Sequence, residues 1–153
     1  MPTRYVHTNI VANDWRQLAR FYESVFDCVP VPPVRDHSGE WLEDGTGVRN
    51  ASATGIHLRL PGDSDDGPTI EIYTYQSTLH GGEPAANRRG YGHVAFAVDD
   101  VARTVQNVVR HGGRPHGKVV TRVVESVGTI TFAYVQDPEG NLIEVQKWES
   151  LPG

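Results

Sequence analysis

The chain of 153 residues is poor in three features that each define a class of protein. Its single cysteine, Cys28, allows neither an internal disulfide nor a thiolate cluster for a metal. It has no run of lysine and arginine, and its net charge of −5 argues against a nucleic-acid partner. No stretch approaches the ~20 apolar residues of a membrane helix, and the first residues show no signal pattern. We therefore expect a cytoplasmic protein with no nucleic-acid or membrane partner.

An internal repeat is the main feature that the chain does contain. When His7 is aligned with His93, Asn13-Asp14 falls on Asp99-Asp100, and a helical pattern of apolar residues follows each of these pairs. Later in each half, GPTIEIYTY (67–75) aligns with GNLIEVQKW (140–148), which places Glu71 on Glu144. The repeat therefore predicts that the chain folds as two copies of one structural module.

Each half predicts a strand, a helix and then two or three further strands. Strands are predicted over 54–60, 67–75, 129–135 and 140–148, separated by turn-forming residues. The predicted domain organisation is a first module over 1–75, a polar, glycine-rich linker over 76–90 and a second module over 91–153.

The proline-rich segment 30–47 is harder to interpret. We expect a short strand and a mobile loop there, with a plain connection favoured over a lid above a site.

Four residues of the repeat share one property: each lies opposite the apolar face of its strand. Side chains alternate across a strand, so His93 lies opposite Val94 and Phe96. A lone strand histidine is more often structural, and a lone strand glutamate often faces solvent. Their repetition at equivalent positions favours a metal site instead, because imidazole and carboxylate suit nickel, zinc, cobalt, manganese or iron. The predicted ligands are His7, Glu71, His93 and Glu144.

The motifs HTNIVANDWRQLARFYESVF, GHVAFAVDDV and DPEGNLIEV, together with the repeat, resemble the vicinal oxygen chelate superfamily. This superfamily includes glyoxalase I, methylmalonyl-CoA epimerase, extradiol dioxygenases and bleomycin-binding proteins. The resemblance covers nearly the whole chain. It implies an α+β fold of two tandem βαβββ modules, whose sheets curl around a metal cavity. It also implies one divalent metal ion per site and a homodimer.

Within that resemblance, the four ligand-type residues are most similar to glyoxalase I and, with one difference, to methylmalonyl-CoA epimerase. Three polar positions that would hold glutathione are replaced here by Val11, Tyr75 and Ser126. Unpaired glutathione carboxylates would be costly to desolvate, so we expect a different substrate with vicinal oxygens. Further candidate substrate contacts lie on strands, namely His57, Arg59, Tyr73, Tyr75 and Tyr91.

The resemblance implies proton transfer at a carbon next to a chelated carbonyl, as in an isomerase, epimerase or lyase. Glu144 is the expected base, and Glu71 is the expected second proton carrier. Two alternatives stay open: a ferrous dioxygenase of the extradiol type, and a metal-free protein that binds or sequesters a small molecule.

Overall fold

Nine strands and three helices make up the part of the chain that the structure, a computed structural model, describes, which is residues 2–150. The chain divides into two units, the first ending at Gly81 and the second beginning at Gly82. This division lies inside the segment predicted as a linker. Each unit is a mixed α+β structure with its own sheet, as the repeat predicts.

The first unit is a four-stranded sheet with two helices. In chain order it contains β1 (His7–Val11), α1 (Trp15–Phe26), β2 (Val29–Ser38), α2 (Glu40–Thr46), β3 (Ser52–Arg59) and β4 (Thr69–Tyr75). The strands lie in the order β1-β4-β3-β2. β1 runs parallel to β4, and the other neighbours are antiparallel. The strands predicted over 54–60 and 67–75 are therefore confirmed as β3 and β4.

Helix α1 begins where the sequence predicts, directly after an acidic residue. The Asp14 carboxylate accepts hydrogen bonds from the backbone N–H groups of Arg16 and Gln17, both at 3.1 Å. Such a cap satisfies donors that the first helical turn leaves unpaired. Leu18 and Tyr22 lie one turn apart on the helix and are fully buried. The helix thus covers one face of the sheet, and the other face is left for polar side chains.

The second unit has five strands and one helix. In chain order it contains β5 (Val94–Ala97), α3 (Val101–Arg110), β6 (Arg114–Pro115), β7 (Val120–Val124), β8 (Gly128–Gln136) and β9 (Leu142–Glu149). The strands lie in the order β5-β9-β8-β6, and β7 also pairs with β8. The predicted strands 129–135 and 140–148 are confirmed as β8 and β9.

The alternation of β9 decides which of its side chains enter the core. Ile143 and Val145 are fully buried, whereas Glu144 between them is half-buried on the other face. On β5, Phe96 is buried while Ala95 and Ala97 are exposed. The predicted division between an apolar face and a face for ligand-type residues therefore holds in this unit.

The prediction of a short strand and a mobile loop over residues 30–47 is wrong, because the segment contains a long strand and a helix. β2 continues to Ser38, and α2 occupies Glu40–Thr46 in place of the expected loop. Proline lacks the backbone N–H that a strand donates to its neighbour, so the three prolines of β2 favoured a loop in the sequence-based prediction. β2 lies at the edge of its sheet, where prolines are tolerated, and three residues bulge out between Val31 and Arg35.

Cys28 is buried at the end of α1, as a packed small residue should be. Burial, reinforced by the charges of Asp27 and Glu23, raises the pKa of its thiol to about 12. Its sulfur is therefore neither a nucleophile nor a metal ligand at neutral pH. Across residues 2–150, none of the helices combines the length and the apolar composition needed to cross a bilayer.

Candidate metal centre

Three metal-ligating side chains meet on the face of the first sheet opposite α1. His7 comes from β1, His57 from β3 and Glu71 from β4. One potential ligand atom from each residue lies within 4.8 Å of the others. We call this group, His7, His57 and Glu71, the donor cluster. Among residues 2–150 it is the one group of this kind.

Strand pairing creates the donor cluster. In the sheet register His57 lies directly opposite Glu71, and Asn9 lies opposite Glu71 on the other side. Directly paired residues point to the same face, so these three side chains form one row across β3, β4 and β1. His7 joins the row from two residues away on β1, on the same face as Asn9.

The Glu71 carboxylate is the centre of the group. His57 Nε2 lies 2.9 Å from Glu71 Oε2, and His7 Nε2 lies 3.6 Å from Glu71 Oε1. The Asn9 side-chain amide donates to Oε1 at 2.8 Å. The Glu71 side chain is only 13% exposed, so these three neighbours replace most of its contact with water.

The surroundings of His57 favour its neutral form. Burial is the largest cause of its lowered pKa; the negative charge of Glu71 opposes the shift, and the positive charges of Arg35 and His7 add to it. His57 Nδ1 lies 2.8 Å from Thr69 Oγ1. Without an ion, a neutral His57 whose Nε2–H donates to Glu71 accounts for the 2.9 Å contact; in the other neutral tautomer Nδ1–H donates to the Thr69 hydroxyl, and the Nε2 lone pair is available to an ion. A neutral imidazole with a fixed second nitrogen is the form that binds metals.

The spacing of the donor atoms fits a divalent ion. When each ligand atom is about 2.1 Å from an ion, neighbouring ligand atoms lie about 3–3.5 Å apart. The two separations from the histidines, 3.6 Å to Glu71 Oε1 and 2.9 Å to Glu71 Oε2, are close to this range, and one ligand atom from each of the three residues lies within 4.8 Å of the others, so small side-chain movements would let all three reach one ion. Two imidazoles and one carboxylate suit zinc, iron, manganese, cobalt or nickel, and such a set leaves further coordination positions for water or substrate.

The second unit contains the matching pair predicted from the repeat. His93 Nε2 lies 3.3 Å from Glu144 Oε2, and the Glu144 side chain is 15% exposed. The residue paired with Glu144 on β8 is Tyr134, whose ring centre lies 5.0 Å from that of His93. Burial first and the Glu144 charge second raise the pKa of the Tyr134 hydroxyl. Tyrosine therefore takes the position that His57 takes in the first unit.

The DPEGN segment fixes the start of the strand that carries Glu144. Asp137 is fully buried, and its carboxylate accepts hydrogen bonds from the backbone N–H groups of Glu139 and Asn141 at 2.9 and 3.0 Å. The Asn141 side chain donates to the same carboxylate at 2.8 Å. A turn held in this way sets the register with which β9 begins, and hence the face on which Glu144 lies.

The remaining candidate substrate contacts lie in different surroundings. Tyr73 is buried beside the donor cluster, and burial followed by the Glu71 charge raises its pKa to about 12. Tyr75 is half-buried at the end of β4, and Arg59 is ion-paired with Asp65 at 3.0 Å. Tyr91 precedes β5 and is fully exposed in the chain.

Sequence reasoning missed two features of the donor cluster. It treated His57 as a substrate contact, whereas the structure places its imidazole against Glu71. It gave no role to Asn9, which donates to the same carboxylate. The usable signal was the register between β3 and β4: pairing 57 with 71 across the turn would have placed the two side chains on one face.

The comparison with known families agrees with this geometry. Residues 4–145 match the model of the Glyoxalase/Bleomycin resistance protein/Dioxygenase superfamily. The chain belongs to this superfamily. Members use divalent metals, and the resemblance inferred from the sequence motifs is confirmed.

Curated relatives of the chain carry the name lactoylglutathione lyase. A Vibrio cholerae protein named "Probable lactoylglutathione lyase" is 36% identical over 86 residues, which is 55% of this chain and 56% of the relative. The lactoylglutathione lyase of Escherichia coli O157:H7 is 39% identical over 57 residues, covering 36% of this chain and 38% of the relative. The chain thus spans about half the length, or less, of these relatives.

Solved structures confirm the two-module fold. A glyoxalase family protein from Bacillus cereus covers 97% of this chain and 95% of its own, with a TM-score of 0.80 and 22% identity. A fosfomycin resistance protein from Listeria monocytogenes, solved with Mn(II) and sulfate, covers 97% and 95%, with a TM-score of 0.52 and 14% identity. At these identities the likeness to glyoxalase-superfamily structures concerns the fold.

Proposed function

We propose that this protein is a metal-dependent enzyme of the glyoxalase I type that moves a proton at the carbon next to a carbonyl group. The observation that carries the proposal is the donor cluster, in which two imidazoles and a half-buried carboxylate lie within 4.8 Å of one another. A buried carboxylate is costly unless it is paired, and a cation is a suitable partner.

The residues of the chain have separate tasks in this proposal. His7 and His57 would hold the ion through their Nε2 atoms, and Glu71 through a carboxylate oxygen. His93 and Glu144, which the sequence predicts as ligands, form the corresponding pair in the second unit. A bound divalent ion would polarise two vicinal substrate oxygens and stabilise the negative charge that develops when the neighbouring carbon loses its proton.

Proton transfer is assigned to the two glutamates. Glu144 removes the proton; its side chain is 15% exposed and lies 3.3 Å from His93 Nε2. Glu71 returns the proton or acts on the opposite face of the substrate. Asn9 keeps the Glu71 side chain in place by donating to its Oε1 atom.

The proposed substrate is not a glutathione adduct. Val11 lies on the same face of β1 as His7 and Asn9 and is 47% exposed, so it presents an apolar surface beside the donor cluster. Tyr75 lies on the same face of β4 as Glu71. Neither side chain supplies a cation for a glutathione carboxylate.

Hydrogen exchange with solvent tests the proposal. Chelator-treated protein is loaded with nickel, cobalt, manganese or zinc in deuterium oxide and incubated with 2-oxo thiohemiacetals, acyl-CoA esters and cyclic keto-sugars. Proton NMR then measures deuterium at the carbon next to the carbonyl. We expect metal-dependent exchange on one substrate class, lost in Glu144→Gln and retained in Glu149→Gln, a change on the exposed end of the same strand. No exchange with any metal and any class would overturn the proposal.

One observation favours a second candidate. Two histidines and one carboxylate within one unit are also the ligand set of non-haem ferrous oxygenases. A ferrous extradiol dioxygenase would need open positions for both oxygen and a catechol, which a three-residue set provides. Oxygen uptake by the iron-loaded protein with catechol would support this function, and absence of uptake together with deuterium exchange would support the first.

A further inference from the structure

Arg35 is the one arginine on the face of the donor cluster whose charge has no carboxylate partner among the described residues. Arg59 lies on the same face of the sheet but is ion-paired with Asp65 at 3.0 Å. Arg35 instead uses a single nitrogen, Nη1, to donate to the backbone carbonyl of Val31 at 2.8 Å and to that of Pro33. Its side chain is thereby fixed by the bulge of β2, while its charge is left uncompensated.

Sheet register places Arg35 in the row next to the donor cluster. Arg35 pairs with Gly55 on β3, and Gly55 pairs with Tyr73 on β4. The neighbouring row contains His57 and Glu71. Residues two apart on a strand are separated by about 7 Å, so one small molecule could contact both rows.

Gly55 lies between Arg35 and Tyr73 in this row. A Cβ atom at position 55 would lie 2.1 Å from Tyr73 Cδ1 and 2.0 Å from the Ile72 carbonyl oxygen, so the tyrosine ring lies directly over the glycine. The His37 ring centre is 5.9 Å from that of Tyr73, and the Trp41 ring is 5.2 Å from His37. Both contacts are edge-to-face, with interplanar angles of 82° and 81°, so the rings form an aromatic cluster next to the row of Arg35.

The hydrogen-bonding state of Arg35 points to the class of ligand. Its Nε and Nη2 atoms donate no hydrogen bond to any of residues 2–150, and together they form the edge that binds a planar oxyanion through two parallel bonds. A bound divalent ion and Arg35 would outweigh the single charge of Glu71, so an anion is attracted to this face.

We infer that Arg35 is a specificity-determining residue that binds a carboxylate or phosphate group carried by the substrate beyond its two vicinal oxygens. This inference rests on the proposed function for the position of the vicinal oxygens, and it adds the anionic group as the substrate class. The aromatic cluster of His37, Tyr73 and Trp41 supplies apolar contacts for the part of the substrate between its two ends.

Matched chelating probes test the inference. 3,4-Dihydroxybenzoate and catechol carry the same vicinal oxygens on the same ring and differ only by the carboxylate. Calorimetric titration of the zinc-loaded protein should show that 3,4-dihydroxybenzoate binds roughly tenfold or more tightly than catechol, as two charge-assisted hydrogen bonds require. Arg35→Gln should abolish this preference, and Arg35→Lys should keep only part of it. Arg20→Gln, a change at an exposed position of α1, should leave it intact.

Titration with benzoate and with inorganic phosphate shows which anion Arg35 binds. Because it is done without metal, it also tests the Arg35 site separately from the proposed metal-dependent function. Both are titrated into metal-free wild type and Arg35→Gln, with binding followed by NMR shifts of the amides of β2. Arg35-dependent shifts with benzoate alone identify a carboxylate site, and shifts with phosphate alone identify a phosphate site. If these shifts appear but no probe responds to metal, the proposed function fails and the inference stands. Anion binding that is unchanged in folded Arg35→Gln and Arg35→Lys, or absent from the wild type, would overturn the inference.

Discussion

The two units arrange equivalent strands in the same way but fill the ligand-type positions differently. In the first unit the glutamate on the last strand, Glu71, is paired with His57, and a second histidine lies at 3.6 Å. In the second unit Glu144 is paired with Tyr134, and one histidine lies at 3.3 Å. Each unit thus has one histidine and one glutamate at equivalent positions, and the first unit has His57 as a third donor.

The same contrast extends to the hydrogen bonds around each glutamate. Asn9 donates to Glu71, whereas the residue paired with Glu144 from the first strand of its unit is Ala95. Because the two glutamate side chains are equally inaccessible, at 13% and 15% exposure, they differ in partners and not in burial. The first unit therefore offers a cation more donor atoms, and its glutamate is more firmly positioned, than the second unit.

The largest effect is expected from removing the central carboxylate. Glu71→Ala should weaken metal binding by at least ~100-fold and cost about 1–3 kcal/mol of stability, because His57 and Asn9 lose their acceptor. Glu144→Ala is the matched change at equal burial and should cost less stability, since one histidine loses its partner. Urea unfolding in the presence of chelator measures the stability of both variants, and competition with a chromophoric chelator measures their metal affinity. An equal or larger stability cost for Glu144→Ala would remove the contrast between the units.

A somewhat smaller loss of metal affinity is expected when His57 is replaced by tyrosine, the residue at the equivalent position of the second unit. His57→Tyr replaces the third donor by the residue that the second unit has, and it should lower the affinity for cobalt by about 10–100-fold. Tyr134→Phe removes a hydroxyl but keeps the ring next to His93 and should leave the affinity unchanged. Competition with a chromophoric chelator gives both values. Unchanged cobalt affinity in His57→Tyr would show that His57 is not a ligand.

The pH dependence of stability should distinguish His57 from the other histidines. The folded protein disfavours protonation of His57, whose pKa lies below its usual 6.5 mainly because of burial, with Arg35 and His7 contributing and Glu71 opposing. Its contribution to metal-free stability is therefore full above pH 6.5 and is lost as the pH falls through the lowered pKa. Between pH 8 and 5, wild type should lose more stability than His57→Gln. Parallel thermal denaturation profiles for the two proteins would contradict this expectation.

The smallest effect is expected from Asn9→Ala, which gives the first unit the alanine of the second. Loss of the 2.8 Å hydrogen bond to Glu71 should cost about 0.5–1.5 kcal/mol and leave metal binding in place, with a modest decrease in affinity. Thermal denaturation with and without zinc measures both quantities. A complete loss of zinc stabilisation would indicate that Asn9 is a ligand itself.

Local patterns in the sequence predicted much of this structure. Alternation along β1, β4, β5 and β9 was sufficient to separate ligand-type from core-facing residues, because side-chain direction in a strand depends only on parity. Asp14 and Asp100 marked the starts of two helices, because capping is a local interaction. The family resemblance covered the same stretch of the chain that the family model matches.

The features that could not be predicted depend on contacts between strands. That His57 lies opposite Glu71 follows from the turn length and register of β3 and β4, which composition does not reveal. The position of Arg35 depends on how many residues bulge out of β2, and the prolines there suggested a loop. The donor cluster and the Arg35 site are therefore findings of the structure.

Paramagnetic NMR of the cobalt-loaded protein tests the central claim, that His7, His57 and Glu71 hold a divalent ion, most directly. Histidine ring protons close to cobalt are shifted far outside the normal spectral range. The account predicts that chelator-treated protein binds cobalt and shows shifted ring-proton signals from His7 and His57. In His57→Tyr the signals of His57 should disappear and those of His7 should remain. Cobalt binding with the His57 ring protons at their ordinary positions, or no cobalt binding at all, would contradict it.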